Sequence, residues 1–494
     1  MLKYDTGRMS ESERTDDPSP AHRSSRAIWW LFLLVFVYYS WNAIITTPLT
    51  GYDAAGHAGY ILTLLEEHRL PHPFEGWSTF HPPAYYLLAG AVWTALAPLG
   101  ATALCVGLRA ISVLSMLAAG IVLQRLLAAR GVGPAASAVT VALALFLPCS
   151  QLAGTMLGNE ALGVAFASLA LPGVLALQRS PGDPRAALRA GLFTGLALAT
   201  KFTGLFVAAA CIVPFLRRGL DRRTVATAAL LAVTAAVIAG PVYLRNAWLT
   251  GSPIPMTRDQ KGPPVWWENY SLLRERRLGD YVGLPLSVLR WPIMYVPATR
   301  DESGIPYNEA MLNVWGAAYA SFWYDAFAHR LPYHYFRRGH EVWAAPLLGI
   351  LGLVPTALML LGLALCARDT VRSGLRAPDA PLVVMTAVGL AVFVAFTARA
   401  PSLVAAKGSY LLPLLVPAGL FFARGVRALR GRVRQTALVL STGAALASAI
   451  VFSAGLVFPP ANADPVRRTW EIVARQLPDS HIGDAVAIFL GTGE

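Results

Sequence analysis

The stretch AIWWLFLLVFVYYSWNAIITT, residues Ala27–Thr47, decides the fold. It carries no charge, and about 20 apolar residues suffice to cross the hydrocarbon core of a bilayer. It is too long and too aromatic for a signal peptide, and no small-residue cleavage site follows it. It therefore predicts a retained first membrane span. Residues 1–26 before it are polar and rich in Ser, Arg, Asp and Glu, which predicts a disordered cytoplasmic tail. Arg14, Arg23 and Arg26 hold that tail on the cytoplasmic side, so the span emerges outside near Thr47.

Outward from this stretch, the same kind of run recurs along the whole chain. Of the 494 residues, 55% are hydrophobic and only 14% are charged. Soluble domains carry roughly 25% charged residues, so this composition excludes a soluble fold. Further spans are expected at Cys105–Leu127, Pro134–Pro148, a run ending toward Arg179, Ala190–Thr200, and a run ending at Arg217. Thr224–Tyr243, Val342–Cys366, Pro381–Thr397, Tyr410–Phe422 and Thr436–Phe458 follow, giving about eleven transmembrane helices. With this count every short basic cluster falls on the cytoplasmic side. That accounts for the net charge of +13 without nucleic acid, since no basic stripe interleaved with aromatics lies on a soluble domain. Cys105, Cys149, Cys211 and Cys366 lie in or beside apolar runs and read as small apolar residues rather than disulfides or metal ligands.

The expected architecture is an all-α polytopic membrane protein. Its transmembrane domain occupies 27–458, with a first outer loop at 48–100 and a long outer loop at 247–342. The segment Ala84–Leu99 is short for a span and reads as an interfacial or re-entrant helix. The short extracytoplasmic tail, 459–494, predicts a helix at Asp464–Gln476 and a strand at Ala485–Leu490. It is too short for a core of its own and is expected to pack on the long loop or the membrane face.

Polar residues on the outer side gather at helix ends: Asp53 and His57, His81 and Tyr85, Asn159 and Glu160, Lys201, Arg245 and Asn246, Lys407 and Tyr410. In a helical bundle these ends could line one cavity, although each alone also fits an interfacial or snorkelling side chain. Asp53 could take a proton from an acceptor hydroxyl or simply cap the helix that follows. His57, one turn on, could pair with Asp53, bind a phosphate as a cation, or join Asp53 and His81 on a metal. The spacing matches no strong zinc signature. Lys201, Arg245 and Lys407 lie at the depth of a lipid phosphate, where cations offset its charge; interfacial anchoring is the alternative.

The stretches GYDAAGHAGYILTLLEEHRLP (51–71), FHPPAYYLLAG (80–90), LGNEALG (157–163), LALATKFTGLFV (196–207), YLRNAWLTGSPIP (243–255) and KGSYLLPLL (407–415) resemble, in order, the GT-C superfamily of membrane glycosyltransferases. The likeness is to its bacterial branch, akin to protein O-mannosyltransferases and the lipid A aminoarabinose transferase. It implies a GT-C-like fold in a bacterial plasma membrane, with the active site on the extracytoplasmic side. It implies a polyprenyl-phosphate-linked sugar donor and a lipid, glycan or protein acceptor. It implies catalytic roles for Asp53 and Glu160, and substrate binding by His57, His81, Tyr85, Lys201, Arg245, Asn246, Lys407 and Tyr410. One departure is that Ala54 stands where many relatives carry a second carboxylate, Glu, directly after the aspartate. No cofactor is required on this reading; a divalent metal is compatible with it. A flippase for a lipid-linked substrate, or a non-catalytic polyprenyl-lipid-binding relative, is the alternative. A flippase should carry ionisable groups at mid-membrane, and such charge is nearly absent here apart from Arg109, near a span end.

Overall fold

The structure is a computed structural model, and it describes residues 20–216, 221–256, 276–290, 308–327, 341–400, 403–453, 463–477 and 480–491. The helices are α1 (Pro20–Ile45), α2 (Ala54–Glu66), α3 (Ala84–Leu96), α4 (Ala101–Ala129), α5 (Pro134–Phe146), α6 (Pro148–Thr155), α7 (Glu160–Arg179), α8 (Pro184–Thr200), α9 (Leu205–Ile212) and α10 (Arg222–Thr250). They continue with α11 (Ser287–Arg290), α12 (Val314–Trp323), α13 (Glu341–Leu351), α14 (Leu353–Ser373), α15 (Ala380–Arg399), α16 (Leu415–Ala428), α17 (Gly431–Val451), α18 (Ala463–Gln476) and α19 (Ile482–Leu490). Among the described residues there is no strand.

Among the described residues, eight helices are long and apolar enough to cross a membrane, or nine if the bent pair α5–α6 is one span. The count of eleven is not reached by length: α8 has 17 residues, and Phe202–Phe215 is a short run broken by 3-10 turns. The bend of 59° between α5 and α6 falls at Pro148, which cannot donate to the preceding turn. α1 begins at Pro20, so helix replaces disorder over 20–26, and α17 stops at Val451. Residues 1–19 lie outside the described part, as do 257–275, 291–307 and 328–340 of the long loop. The expected strand at Ala485–Leu490 is helix α19 instead. Six apolar residues do not distinguish the two by pattern.

The surface shows what the bundle is built for. Trp30, Val237, Leu244 and Val439 are each at least two-thirds exposed, on helices whose backbone groups are satisfied internally, as a lipid environment requires. The protein is a multi-pass membrane protein. Small residues let its helices touch. A Cβ on Gly362 of α14 would lie 1.8 Å from the Phe421 carbonyl oxygen of α16, and one on Gly425 would lie 2.0 Å from the Leu358 carbonyl oxygen. Gly173 and Gly191 do the same for α7 on α8 and α8 on α10. Such close backbone approach is how helices associate without a hydrophobic driving force.

Arg109 of α4 is buried and donates to the carbonyls of Ala43, Thr46 and Thr47 at 2.7–2.8 Å. Ala43 lies in the last turn of α1, where carbonyls lack intrahelical donors, and Thr46 and Thr47 lie just beyond its end. The charge near a span end is therefore a C-cap for α1, and it fixes where the first loop starts.

Candidate active site

The first loop is pinned at both ends of a short, strained turn. Leu49 (φ 60°) and Asp53 (φ 57°) both adopt the left-handed conformation that non-glycine residues avoid. Gly51 between them has φ 129°, and a Cβ there would collide with Met156. The same methionine's sulfur accepts the Tyr52 N–H, while its carbonyl accepts from Ser112 of α4. Strain of this kind persists only where the surroundings over-determine it.

Asp53 occupies the N-cap position of α2, yet its side chain makes no capping hydrogen bond. Instead its Oδ1 accepts from the indole Nε1 of Trp77, 2.8 Å away. Its carboxylate is thus turned away from the helix end rather than capping it. His57, a turn further on, is fully buried. Its Nδ1 is 2.7 Å from the Tyr86 hydroxyl, and its Nε2 has no hydrogen-bond partner among the described residues. His81 stacks beside it at 5.8 Å between ring centroids, and Tyr85 stands edge-on at 6.0 Å. Burial pushes the His57 imidazole below its usual pKa, against the pull of the Glu160 and Asp53 charges. Burial, with the charge of Lys201 and then His57, pushes His81 well below. Burial thus favours the neutral imidazole in both.

Glu160 begins α7 and Lys201 closes α8. Their side chains meet at 2.5 Å, both buried. Lys407, at the start of the 3-10 turn Gly408–Leu414, is 5% exposed. Its Nζ lies 4.9 Å from the centre of the Tyr52 ring and 5.8 Å from that of Tyr410, which Lys201 faces at 5.4 Å. Among the described residues no carboxylate is in ion-pair range of Lys407. The charges of Glu160, Asp53, Lys201 and Lys407 all reach His57, so these groups from α2, α7, α8 and the 407–414 turn converge on one place.

Two further candidates, Arg245 and Asn246, lie on α10. Arg245 donates to the carbonyls of Leu70 and Pro71 at 3.0 and 2.9 Å, holding down the return of the first loop. Asn246 is buried in α10, its carbonyl accepting from Thr250. Asp53, His57 and His81 do not form a ligand cluster; among the described residues only Glu66, His481 and Asp484 bring such atoms together. Residues not singled out from the sequence also belong here. Tyr52, Tyr86 and Trp77 contact the candidates directly. Asp325, 1% exposed after α12, lies close enough to raise the Tyr52 phenol's pKa, after the larger effect of burial. Their signal was weak, because aromatics are common at every membrane interface. Beside the site, Leu64, Leu65, Leu87, Gly90 and Tyr86 line an apolar cleft of about 510 Å³ rimmed by His68 and Arg69.

No family model matches the sequence, and no curated protein does. Solved structures do. The apo crystal structure of ArnT from Cupriavidus metallidurans matches with a TM-score of 0.50 at 16% identity, covering 95% of this chain and 76% of that one. The apo Archaeoglobus fulgidus oligosaccharyltransferase matches with a TM-score of 0.50 at 13% identity, covering 92% of this chain and 59% of that one. The same archaeal enzyme, AglB, in complex with an inhibitory peptide and a dolichol-phosphate, matches at 0.50 and 13%, with 93% and 60% covered. This chain spans about three-fifths of the archaeal protein's length. Both neighbours are GT-C superfamily members, and the chain shares the GT-C fold with them.

Proposed function

We propose that the chain transfers a sugar from a polyprenyl-phosphate donor to an acceptor hydroxyl, at the extracytoplasmic face of a plasma membrane. The observation that carries this reading is Lys407. An ammonium buried with no carboxylate beside it is costly, and two aromatic faces offset only part of that cost. A phosphate on the ligand completes it. The archaeal neighbour is described with a dolichol-phosphate, which accords with an anionic lipid headgroup at such a site. The apolar cleft beside Tyr86 suits a lipid chain.

On this reading Asp53 takes the proton from the acceptor oxygen as that oxygen attacks the anomeric carbon. The bond from that carbon to the phosphate oxygen breaks, and polyprenyl phosphate leaves with the electron pair. Lys407 meets the negative charge that grows on the leaving oxygen. Attack opposite the leaving group inverts the anomeric centre. Glu160 is clamped by Lys201. Its part is to hold Lys201 beside Tyr410. The acceptor is a lipid, glycan or protein hydroxyl.

The test uses membrane vesicles and a panel of labelled polyprenyl-phosphate sugars, comparing the wild type with Asp53→Asn at matched expression. Transfer by the wild type that collapses in the variant is expected. Lipid binding without transfer from any donor would overturn the reading in favour of a flippase or a binding protein.

A further inference from the structure

The transfer chemistry uses neither α18 nor α19, yet both press on the residue it depends on. Trp470 of α18 meets Trp77 edge-on at 6.1 Å, and Trp77 is the donor to Asp53. α19 packs along α2, where a Cβ on Gly59 would lie 2.4 Å from the Ser480 carbonyl, and its Phe489 meets Trp93 of α3 edge-on at 5.3 Å. Ile482, Val486 and Phe489 share one apolar cluster with Ala54, Ala55 and Ala58. The tail expected on the long loop or membrane face therefore sits on the back of the helix that Asp53 opens.

One charged contact closes this packing. His481, just before α19, places Nε2 2.8 Å from Glu67 Oε1, and Nδ1 2.8 Å from Asp484 and 3.5 Å from Glu66. A neutral imidazole has only one N–H. Carboxylates facing both ring nitrogens therefore require the imidazolium. Glu67 is held in turn by Arg69, which also grips Glu75 with two hydrogen bonds. Among the described residues α18 brings no charged group into ion-pair range of His481. Partial burial opposes the charge on His481, but the Glu67 and Asp484 hydrogen bonds outweigh it and raise its pKa.

We propose that the α18–α19 pair is a clamp that positions Asp53: Trp77, backed by Trp470, orients the carboxylate, and the His481 imidazolium latches the pair to the end of α2. The catalytic half of this rests on Asp53 being the base. The latch is shut while His481 is protonated and opens as pH rises through its raised pKa.

The test is hydrogen exchange of the detergent-solubilised full chain from pH 6 to 9, corrected for the intrinsic rate, for wild type, His481→Gln and His481→Arg. Protection should fall in both 482–490 and 51–57 for the Gln variant. It should fall in the wild type at high pH, and persist across the range in the Arg variant. Loss in 482–490 with 51–57 unchanged would overturn the clamp. The second readout is transfer by Trp77→Phe, which removes the N–H and keeps a ring. Its kcat should fall about tenfold, the worth of one hydrogen bond to a charged group, with donor KM unchanged. An unchanged kcat would overturn the positioning role. Transfer that survives Asp53→Asn, with exchange at 51–57 still latched to His481, would remove Asp53 as base and leave the clamp standing.

Discussion

The Lys201 ammonium lies 2.5 Å from the Glu160 carboxylate, with the two side chains only 6% and 8% exposed. Such a pair is not a large source of net stability, since desolvation consumes most of the attraction. Removing one partner is different, because it strands the other charge. Glu160→Gln or Lys201→Met alone should each lower unfolding stability by about 3–5 kcal/mol. The double variant should lose much less than the sum. Equilibrium unfolding in mixed micelles measures the cycle, and additive losses would show that the two groups act independently.

Lys407 should behave otherwise, because no carboxylate among the described residues balances it. Lys407→Met relieves a buried charge in the empty protein, so its stability should hold or rise. Its donor KM should rise about ten- to a hundredfold, the worth of a charge-assisted hydrogen bond at 1.5–3 kcal/mol. Lys407→Arg should recover part of the loss. Initial-rate kinetics with a water-soluble short-chain donor would separate KM from kcat. An unchanged KM would place the phosphate elsewhere.

These contrasts show which part of the site could be read from sequence. Asp53, His57, Glu160, Lys201 and Lys407 stand out in the sequence as ionisable groups near the outer ends of apolar runs, and the fold brings their charges to one place. What each one touches was not legible. Nothing in the spacing pairs Lys201 with Glu160, turns Asp53 toward Trp77, or spends Arg245 on the Leu70 and Pro71 carbonyls. Those contacts come from how α7, α8 and α10 pack, and that packing is set by glycines with no side-chain signal of their own. Asp325 was hidden for the same reason, inside a long loop dense with polar residues. Arg109 was visible as a charge, but its role as the cap of α1 needed three carbonyls that only the fold brings together.

The histidines divide the pH dependence of stability into two limbs. His57 and His81 have folded pKa values below the unfolded 6.5. The unfolded chain therefore binds their protons first as pH drops, and stability falls as pH goes from about 6.5 down through the folded values. His481 has a raised folded pKa. Its contribution is complete below about 6.5 and is lost as pH rises through the folded value. Unfolding midpoints between pH 5 and 9 should show both slopes. His81→Gln should flatten the acid limb alone and His481→Gln the alkaline limb alone. A variant that flattened the opposite limb would contradict the assignment.

The last prediction concerns the frame that holds the site rather than the site. Gly362 and Gly425 each face a backbone carbonyl of the opposite helix at a distance no Cβ tolerates. Neither atom is the mobile tip of a side chain, so an added methyl must push α14 and α16 apart. Overpacking of this kind costs about 1–3 kcal/mol, and here it also breaks the close contact that stands in for hydrophobic association within lipid. α16 continues directly from the turn that bears Lys407 and Tyr410. Gly425→Ala should thus lower the unfolding midpoint, and it should weaken donor binding although it touches no substrate. Gly443→Ala is the control, since a Cβ there meets nothing within 4 Å. It should leave both quantities unchanged. Equal losses in the two variants would mean that the α14–α16 contact is not what holds the Lys407 turn in place.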